Sequence, residues 1–313
     1  MKDNSSLHKA KKLKNDEFYT QLSDIQAELQ HYSSHFYGRT IYCNCDDPTW
    51  SNFWVYFHRN FKALRIARLL STHYEKDGSP SYALEYKGGN DPDVSEGRLL
   101  PLKSTGDFRD AECIGLLKES DIVVTNPPFS LMREYIKQLI DYQKHFIIIS
   151  NLNTVSYKEV FPLLKEDKIW CGNNHGKMSF MVKCDSASKD NDYIDDKRGI
   201  SLCSMGNILW LTNLDIPRKH IPLSPKAEFN KELYPRYDNY AAVEVSRVDQ
   251  IPNYDGIMGV PLSYIYYHNP EEYNLLDINP HFIYTKLEGN HQQLSLKKSH
   301  RKDPFARLLI KKI

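Results

Sequence analysis

Asn126-Pro127-Pro128-Phe129 is the run whose residue types and order could do chemistry. Two consecutive prolines hold φ at about −65° and bring no N–H, so the turn is stiff and its carbonyl oxygens are offered outward as acceptors. The Asn126 side chain adds another acceptor oxygen, and Phe129 adds a flat ring. Paired acceptors beside an aromatic face suit the exocyclic amine of a base, with both its hydrogens bound and the ring stacked. Such an amine is a poor nucleophile because its lone pair is delocalised into the ring. Hydrogen bonds to both N–H groups favour the tetrahedral geometry that frees the pair toward an electrophilic methyl group. Orientation and electrostatics then suffice, without a covalent intermediate. Asn-Pro-Pro is also an ordinary turn after a strand, so position has to decide between the two.

Directly before the run, Asp121-Ile122-Val123-Val124-Thr125 is a continuous β-branched stretch of the kind found in buried parallel strands. That puts Asn126 at the carboxyl edge of a sheet, where open α/β folds bind ligands. Upstream, a strand over 39–44 leads through Asp46-Asp47-Pro48 into a helix. Trp50, Phe53, Trp54, Phe57, Phe61 and Leu64 mark one face of that helix, with Pro48 near its start. Ser23 to Gln26 reads as a capping box for a helix over 20–33. Residues 68–74 read as a second strand and 76–105 as a hairpin insertion. Helices follow near 110–118, 130–143 and 154–166, with a strand over 145–150. The alternation predicts a doubly wound, mostly parallel α/β sheet. Segments 177–183 and 207–213 could add an antiparallel edge across the Asp/Lys/Ser-rich stretch 184–200. Beyond Asp215, prolines at 217, 222, 225, 235, 252, 261 and 270 interrupt short Tyr-rich segments, which predicts an appended, irregular module of about a hundred residues.

The 313 residues carry 41 Lys and Arg against 40 Asp and Glu, which excludes a strongly polyanionic or polycationic chain. The basic residues cluster at the ends: Lys2, Lys9, Lys11, Lys12 and Lys14 stand against Asp3, and seven Lys or Arg from Lys297 onward against Asp303. Such ends would attract a polyanion; a solvated arm and a solubilising tail are the plainer reading. No apolar run reaches membrane-spanning length, and the Lys-rich first residues are unlike a secretory signal, so the cytoplasm is the expected compartment. The six cysteines include no CxxC pair, and Cys171, His175 and Cys184 fit no zinc framework; reduced thiols and no metal are expected.

The string DIVVTNPPFSLMREYI, with NDEFYTQ upstream and IYCNCDDPTWSNFWVYF between them, resembles the EcoRI-type adenine-specific DNA methyltransferase family. The likeness continues through NILWLTNLD to YPRYDNYAAVEV and GIMGVPLSY. It implies an S-adenosylmethionine (AdoMet)-dependent methyltransferase fold that methylates N6 of an adenine flipped out of duplex DNA; acting on one strand at a time, such an enzyme needs no dimer, and a cognate restriction endonuclease is a candidate partner. Residues 1–15 would be a basic arm, 16–215 the catalytic domain and 216–313 the target-recognition region. Asn126 and Pro127, with Pro128 in the same turn, would hold the adenine amine, and Phe129 would stack on the base.

Phe18, Tyr19 and Thr20 match the motif that encloses the methionine moiety, and this is favoured over the alternative that Phe18 and Tyr19 only staple the first helix. The usual glycine-rich loop is missing; Asn44-Cys45-Asp46-Asp47-Pro48 stands there, as an acidic turn does in this family. Asp46 or Asp47 could pair with the AdoMet α-ammonium or cap the following helix, and Asn44 joins the same cofactor-binding set. Asp107 matches the acid that accepts the cofactor's adenine amino hydrogen, with Phe108 against that ring, and Glu75 falls where a ribose-binding acid should lie. Trp170 and Phe180 are either the opposite wall of the base pocket or core, and Gly172 to His175 reads as a loop near the flipped base. For DNA, Lys11, Lys12, Lys14, Arg218, Lys219, His220, Arg236 and Arg247 are the candidates. Competing readings are a methyltransferase for RNA or a protein glutamine amide, and a catalytically silent DNA-binding relative. A nicotinamide dehydrogenase is disfavoured by the lack of GxGxxG.

Overall fold

The computed structural model describes residues 18–89, 93, 96–183, 193–195, 200–223, 227–279, 294, 296 and 306–313. Lys11, Lys12, Lys14 and Cys184, most of the 184–200 stretch and residues 297–305 lie outside the described residues. By internal contacts the chain divides into two units, one of residues 1–151 and 172–214, the other of 152–171 and 215–313.

The first unit is built on β2 (Thr40–Cys43), β3 (Arg68–Thr72), β6 (Ile122–Thr125) and β7 (His145–Asn151). These pair in parallel in the order β7-β6-β2-β3. Ile41, Tyr42, Leu69, Leu70, Val123, Val124, Ile147 and Ile148 are buried, as expected for strands covered on both faces. Beyond β3, the hairpin β4 (Tyr82–Tyr86) and β5 (Arg98–Pro101) continues the sheet antiparallel, as the insertion predicted. Beyond β7, β10 (Ile200–Thr212) pairs antiparallel; β8 (Trp170–Lys183) and then β1 (Tyr19–Thr20) follow, with β9 (Tyr193–Asp195) on β10. The sheet is therefore mixed, with a parallel centre. Its register sets Cys43 opposite Ser71 and Tyr42 opposite Val123, so the chain leaves β2, β3 and β6 at one edge, at Asn44, His73 and Asn126.

Helices α1 (Leu22–Leu29), α2 (Asn52–Arg59), α3 (Ala111–Glu119) and α4 (Met132–Asp141) link these strands. Met132, Tyr135, Ile136 and Leu139 of α4 are buried at the i, i+3, i+4, i+7 spacing of a core-facing stripe. Three local expectations are corrected. The Ser23–Gln26 capping box does not form: β1 keeps the chain extended to Thr20, the helix starts at Leu22, and no side chain caps it. Pro48 lies in the turn before α2, whose cap is Ser51, its hydroxyl accepting the Phe53 N–H at 3.1 Å; Trp50 falls outside the helix and is 42% exposed. The helix expected over 154–166 is a 3-10 stretch (Leu152–Ser156) and a short α5 (Phe161–Lys165). Pro162 has no N–H and fits only the first turn of a helix, so α5 cannot begin much earlier.

Gly172 to His175 is strand, part of β8, rather than loop. The buried Glu28 carboxylate accepts the Asn173 and Asn174 N–H groups at 2.8 and 2.7 Å. A Cβ on Gly172 would come within 2.2 Å of that carboxylate, so only glycine permits this approach.

In the second unit, β11 (Ala227–Glu228) pairs with β13 (Pro252–Asn253), and β12 (Ala242–Glu244), β14 (Ile257–Pro261), β16 (Arg307–Lys312) and β15 (Tyr273–Asn279) form a four-stranded sheet in that order. The region expected to be irregular thus carries a sheet whose strands are distant in sequence, with Pro252 and Pro261 at strand ends, where proline is tolerated. The end of the chain, expected as a solvated basic tail, is a central strand: Leu308, Leu309 and Ile310 are buried, and Arg307 donates to the buried Glu244 at 2.7 Å. Among the described residues no helix is long and apolar enough to cross a membrane.

Candidate active site

At the carboxyl edge of the parallel strands lies a cavity of about 430 Å³. Phe18 and Tyr19 line it from the N-terminal side, Asn44 to Asp47 from the end of β2, Thr72, His73, Tyr74 and Lys76 from the end of β3, and Gly106 to Arg109 from the loop before α3. Asn126, Pro128 and Leu131 close it after β6.

Asp46 is the hinge of this edge. Its carboxylate accepts hydrogen bonds from the Thr125 hydroxyl, the Ser51 hydroxyl at 2.8 Å and the Asn126 N–H at 3.4 Å. The end of β2, the cap of α2 and the corner after β6 are thereby held together. Burial pushes the Asp46 carboxyl up to about 6, with those three donors pulling it back toward ionisation. Asp47 does not cap α2 either: one oxygen accepts the Thr49 N–H and hydroxyl at 2.9 and 2.7 Å, closing an Asx turn, and the other stands 3.1 Å from His73 Nδ1. Asn44 is buried and accepts the Tyr135 hydroxyl. Burial keeps the neighbouring Cys45, which also lines the cavity, well above the ordinary thiol range, so it is a neutral thiol.

Asp107 meets the cavity wall with both oxygens engaged by Arg109, whose Nε and Nη2 donate at 2.8 and 2.6 Å. Burial alone would raise this carboxyl, but the Arg109 bonds outweigh it and hold it below its ordinary value. Asp46 and Asp107 are thus tuned in opposite directions around one cavity. Phe108 is buried edge-on to Tyr135, with the Arg109 guanidinium 5.3 Å from its ring centre.

The Asn126 amide gives its nitrogen to the Phe18 carbonyl at 2.6 Å, while its Oδ1 is buried and accepts no hydrogen bond among the described residues. An unpaired buried acceptor costs about 1–3 kcal/mol. The prolines are not both free acceptors as expected: the Pro128 carbonyl takes the Leu131 N–H at 3.0 Å, opening a short 3-10 turn. Pro127 is buried and outside the cavity lining. Phe129 is also outside that lining. Its ring is nearly parallel to Phe18 at 6.2 Å and edge-on to Phe180 at 6.5 Å.

Thr20 is buried next to β8 rather than on the cavity, with the Asn52 side chain on its carbonyl at 2.7 Å. Glu75 stands just outside the lining, 3.1 Å from His73 Nε2. Phe180 is fully buried against Phe18 and Phe129, while Trp170, in the second unit, lies under the Lys219 ammonium at 3.7 Å. Sequence reading missed His73, Lys76 and Arg109; the available signal was that His73 directly follows a strand ending at the same edge as Asn126.

Of the DNA candidates in the second unit, Arg218 donates to the Tyr266 carbonyl at 2.6 Å and Lys219 pairs with Asp167 at 2.9 Å. Arg247 pairs with Asp249 at 2.7 Å, and His220 bridges Asp215 and Glu271 at 2.8 Å each. Arg236 is exposed, with no ion pair among the described residues. The described cysteines form no disulfide, and among the described residues no group of acids, histidines and cysteines is placed to hold a metal.

Residues 6–312 match the family described as adenine-specific methyltransferase EcoRI. The chain is 42% identical to the type II methyltransferase M.EcoRI of Escherichia coli, over 98% of this chain and 96% of that protein. It is 37% identical to M.MpnI of Mycoplasma pneumoniae (90% and 89% covered) and 33% identical to M.MgeORF184P of Mycoplasma genitalium (97% and 98%), both also type II methyltransferases. No solved structure matches it. With a parallel-centred sheet whose Asn-Pro-Pro-Phe corner brings Asn126 and Pro128 to a cavity at its carboxyl edge, and with a family match across nearly the whole chain, this protein belongs to the EcoRI adenine-specific methyltransferase family.

Proposed function

We propose that this protein is a site-specific DNA methyltransferase that moves a methyl group from AdoMet to N6 of an adenine flipped out of duplex DNA. The observation that carries the reading is the Asn126 amide. It sits in the cavity wall with its nitrogen anchored and its oxygen unpaired, so a donor from a ligand would satisfy it.

The cavity fits AdoMet in size and in chemistry. About 430 Å³ lies within the range of small-molecule sites, and the lining combines three carboxylates with aromatic rings. Asp46 and Asp47 would take the α-ammonium, Phe18 and Tyr19 would flank the methionine chain, and Asp107 with Phe108 would hold the adenine ring. When bound, AdoMet supplies an electrophilic methyl group on a sulfonium. The chain's own work is orientation. Asn126 Oδ1 accepts a hydrogen of the target amine, which favours the tetrahedral nitrogen and draws off developing positive charge; Asp46, through the Asn126 N–H, keeps that corner in place. The Phe18, Phe129 and Phe180 cluster supplies the aromatic surface beside it.

On this reading the sheet is of the doubly wound methyltransferase type, 16–215 is the catalytic domain, 216–313 recognises the target, and the basic 1–15 arm adds salt-sensitive affinity. Lys11, Lys12, Lys14, Arg236 and Arg247 remain the candidates for DNA contact. A monomer working in the cytoplasm suffices, because one strand is methylated at a time, and a cognate endonuclease is its natural companion.

The test is incubation of the full chain with labelled AdoMet and duplex DNA, followed by mapping of N6-methyladenine. Asn126→Ala should lower kcat by about 10²–10³ while leaving the thermal midpoint nearly unchanged. Equal turnover removes Asn126 from catalysis, and label found only in RNA or in protein glutamine overturns the substrate class.

A further inference from the structure

His73 is held more firmly than a surface histidine needs to be. Its carbonyl accepts the Ser81 hydroxyl at 2.6 Å, and Gly106, at φ +81°, passes so close that a Cβ there would fall 1.9 Å from the same oxygen. The ring lies 5.2 Å from Tyr82, nearly parallel to it. On one side Nδ1 is 3.1 Å from Asp47 Oδ2, within charge-pair distance but out of line for a hydrogen bond; on the other, Nε2 is 3.1 Å from Glu75 Oε2. His73 and Asp47 both line the cavity. Both ring nitrogens therefore face a carboxylate oxygen, and Nε2 does so in hydrogen-bonding geometry.

We infer that His73 is a positioning residue for the cofactor pocket, clamped between Glu75 and Asp47 so that the Asp47 carboxylate keeps a fixed orientation in the wall. The inference rests on the AdoMet reading of this cavity. It runs against simple electrostatics. AdoMet bears a net positive charge, so taking a side chain away from between two acids and leaving them more exposed would by charge alone tighten binding. Positioning requires the opposite, because Asp47, then held only through the oxygen that Thr49 engages, loses the fixed placement of Oδ2 that receives the ligand.

The experiment is titration calorimetry of the full chain with AdoMet and with S-adenosylhomocysteine, which lacks the sulfonium charge, together with steady-state kinetics. His73→Ala should raise the Kd for both ligands about tenfold and raise the AdoMet KM in proportion, with kcat at saturating AdoMet within about threefold of the parent. His73→Gln, which keeps one donor, should recover part of the loss. Combining His73→Ala with Asp47→Asn should add little to either change alone, since both break one unit. Unchanged or tighter AdoMet binding in both His73 variants, or full additivity with Asp47→Asn, overturns the inference. Should the parent itself give no AdoMet binding, the cofactor reading falls first and the inference with it; a parent that binds while the variants bind equally well sinks the inference alone.

Discussion

In the first unit the Asn126 amide anchors its nitrogen on the Phe18 carbonyl and leaves its oxygen buried without a partner, in the wall of a cavity. In the second unit two of the five side chains that sequence reading selected for DNA, Arg218 and Lys219, are part-buried and held by internal partners, while His220, Arg236 and Arg247 are exposed. Arg218 is on the Tyr266 carbonyl, Lys219 on Asp167 and the Trp170 ring, and Arg307 on the buried Glu244. The contrast separates two jobs for polar groups. A side chain whose bonds close within the protein is part of the fold, and removing it should show first as lost stability. One left with an unpaired polar atom in a residue that lines a cavity should show first as lost chemistry.

The largest effect should come from the closed side. Glu244 is 3% exposed and accepts Arg307 Nε at 3.0 Å and Nη2 at 2.7 Å, together with the Tyr237 hydroxyl. Glu244→Ala leaves a guanidinium and a phenol without their acceptor, for which a loss of about 3–5 kcal/mol is expected. Urea unfolding of the variant is the check. A midpoint within error of the parent would show that inward-turned charge in this unit is not structural.

Asp46 sharpens the comparison because it belongs to both sides, fully engaged yet lining the cavity. Its carboxyl is raised in the folded chain from an ordinary 3.8 to about 6. An acid raised on folding contributes stability that is complete below its unfolded value and is lost as pH rises through the folded one. This contribution should therefore favour the fold at pH 4 over pH 8, and Asp46→Asn should remove it, seen as a smaller pH dependence of the thermal midpoint across that window. AdoMet affinity should move the other way. The ionised carboxylate is the form that pairs with an ammonium, so binding should weaken by up to about tenfold per pH unit below 6 in the parent and less in Asp46→Asn. Parallel pH profiles in parent and variant would take Asp46 out of both roles.

The parallel centre was legible because buried β-branched runs and amphipathic helices alternate locally, and the Asn126 corner followed from its place after one such strand. The second unit was harder to read because β16 comes from the end of the chain and pairs with β14 and β15, a non-local sheet that periodicity cannot announce. Its basic residues looked like a solvated tail, yet Arg307 and Lys312 frame three buried apolar residues. Within the site, residue types were readable but their bonding was not. Nothing local to Asp46 signals that Thr125, 79 positions away, donates to it, or that Asp107 is engaged by Arg109. His73 went unnoticed because its two carboxylates come from the ends of different strands, and only the register of β2 against β3 brings Asp47 to it.

The smallest expected effect tests the open end of the comparison in the second unit. Arg236 is exposed, is tied to the sheet by a backbone bridge to Val243, and has no ion pair among the described residues. A cation in that state can neutralise a phosphate without first breaking an internal bond, whereas Arg218 would have to give up the Tyr266 carbonyl. Arg236→Ala should weaken duplex binding a few-fold irrespective of sequence, lower the slope of log K against log salt by about 1, and leave the thermal midpoint unmoved. Arg218→Ala should lower the midpoint with the salt slope intact. If the two variants behave alike in both measurements, an inward hydrogen bond does not distinguish structural from DNA-binding arginines here.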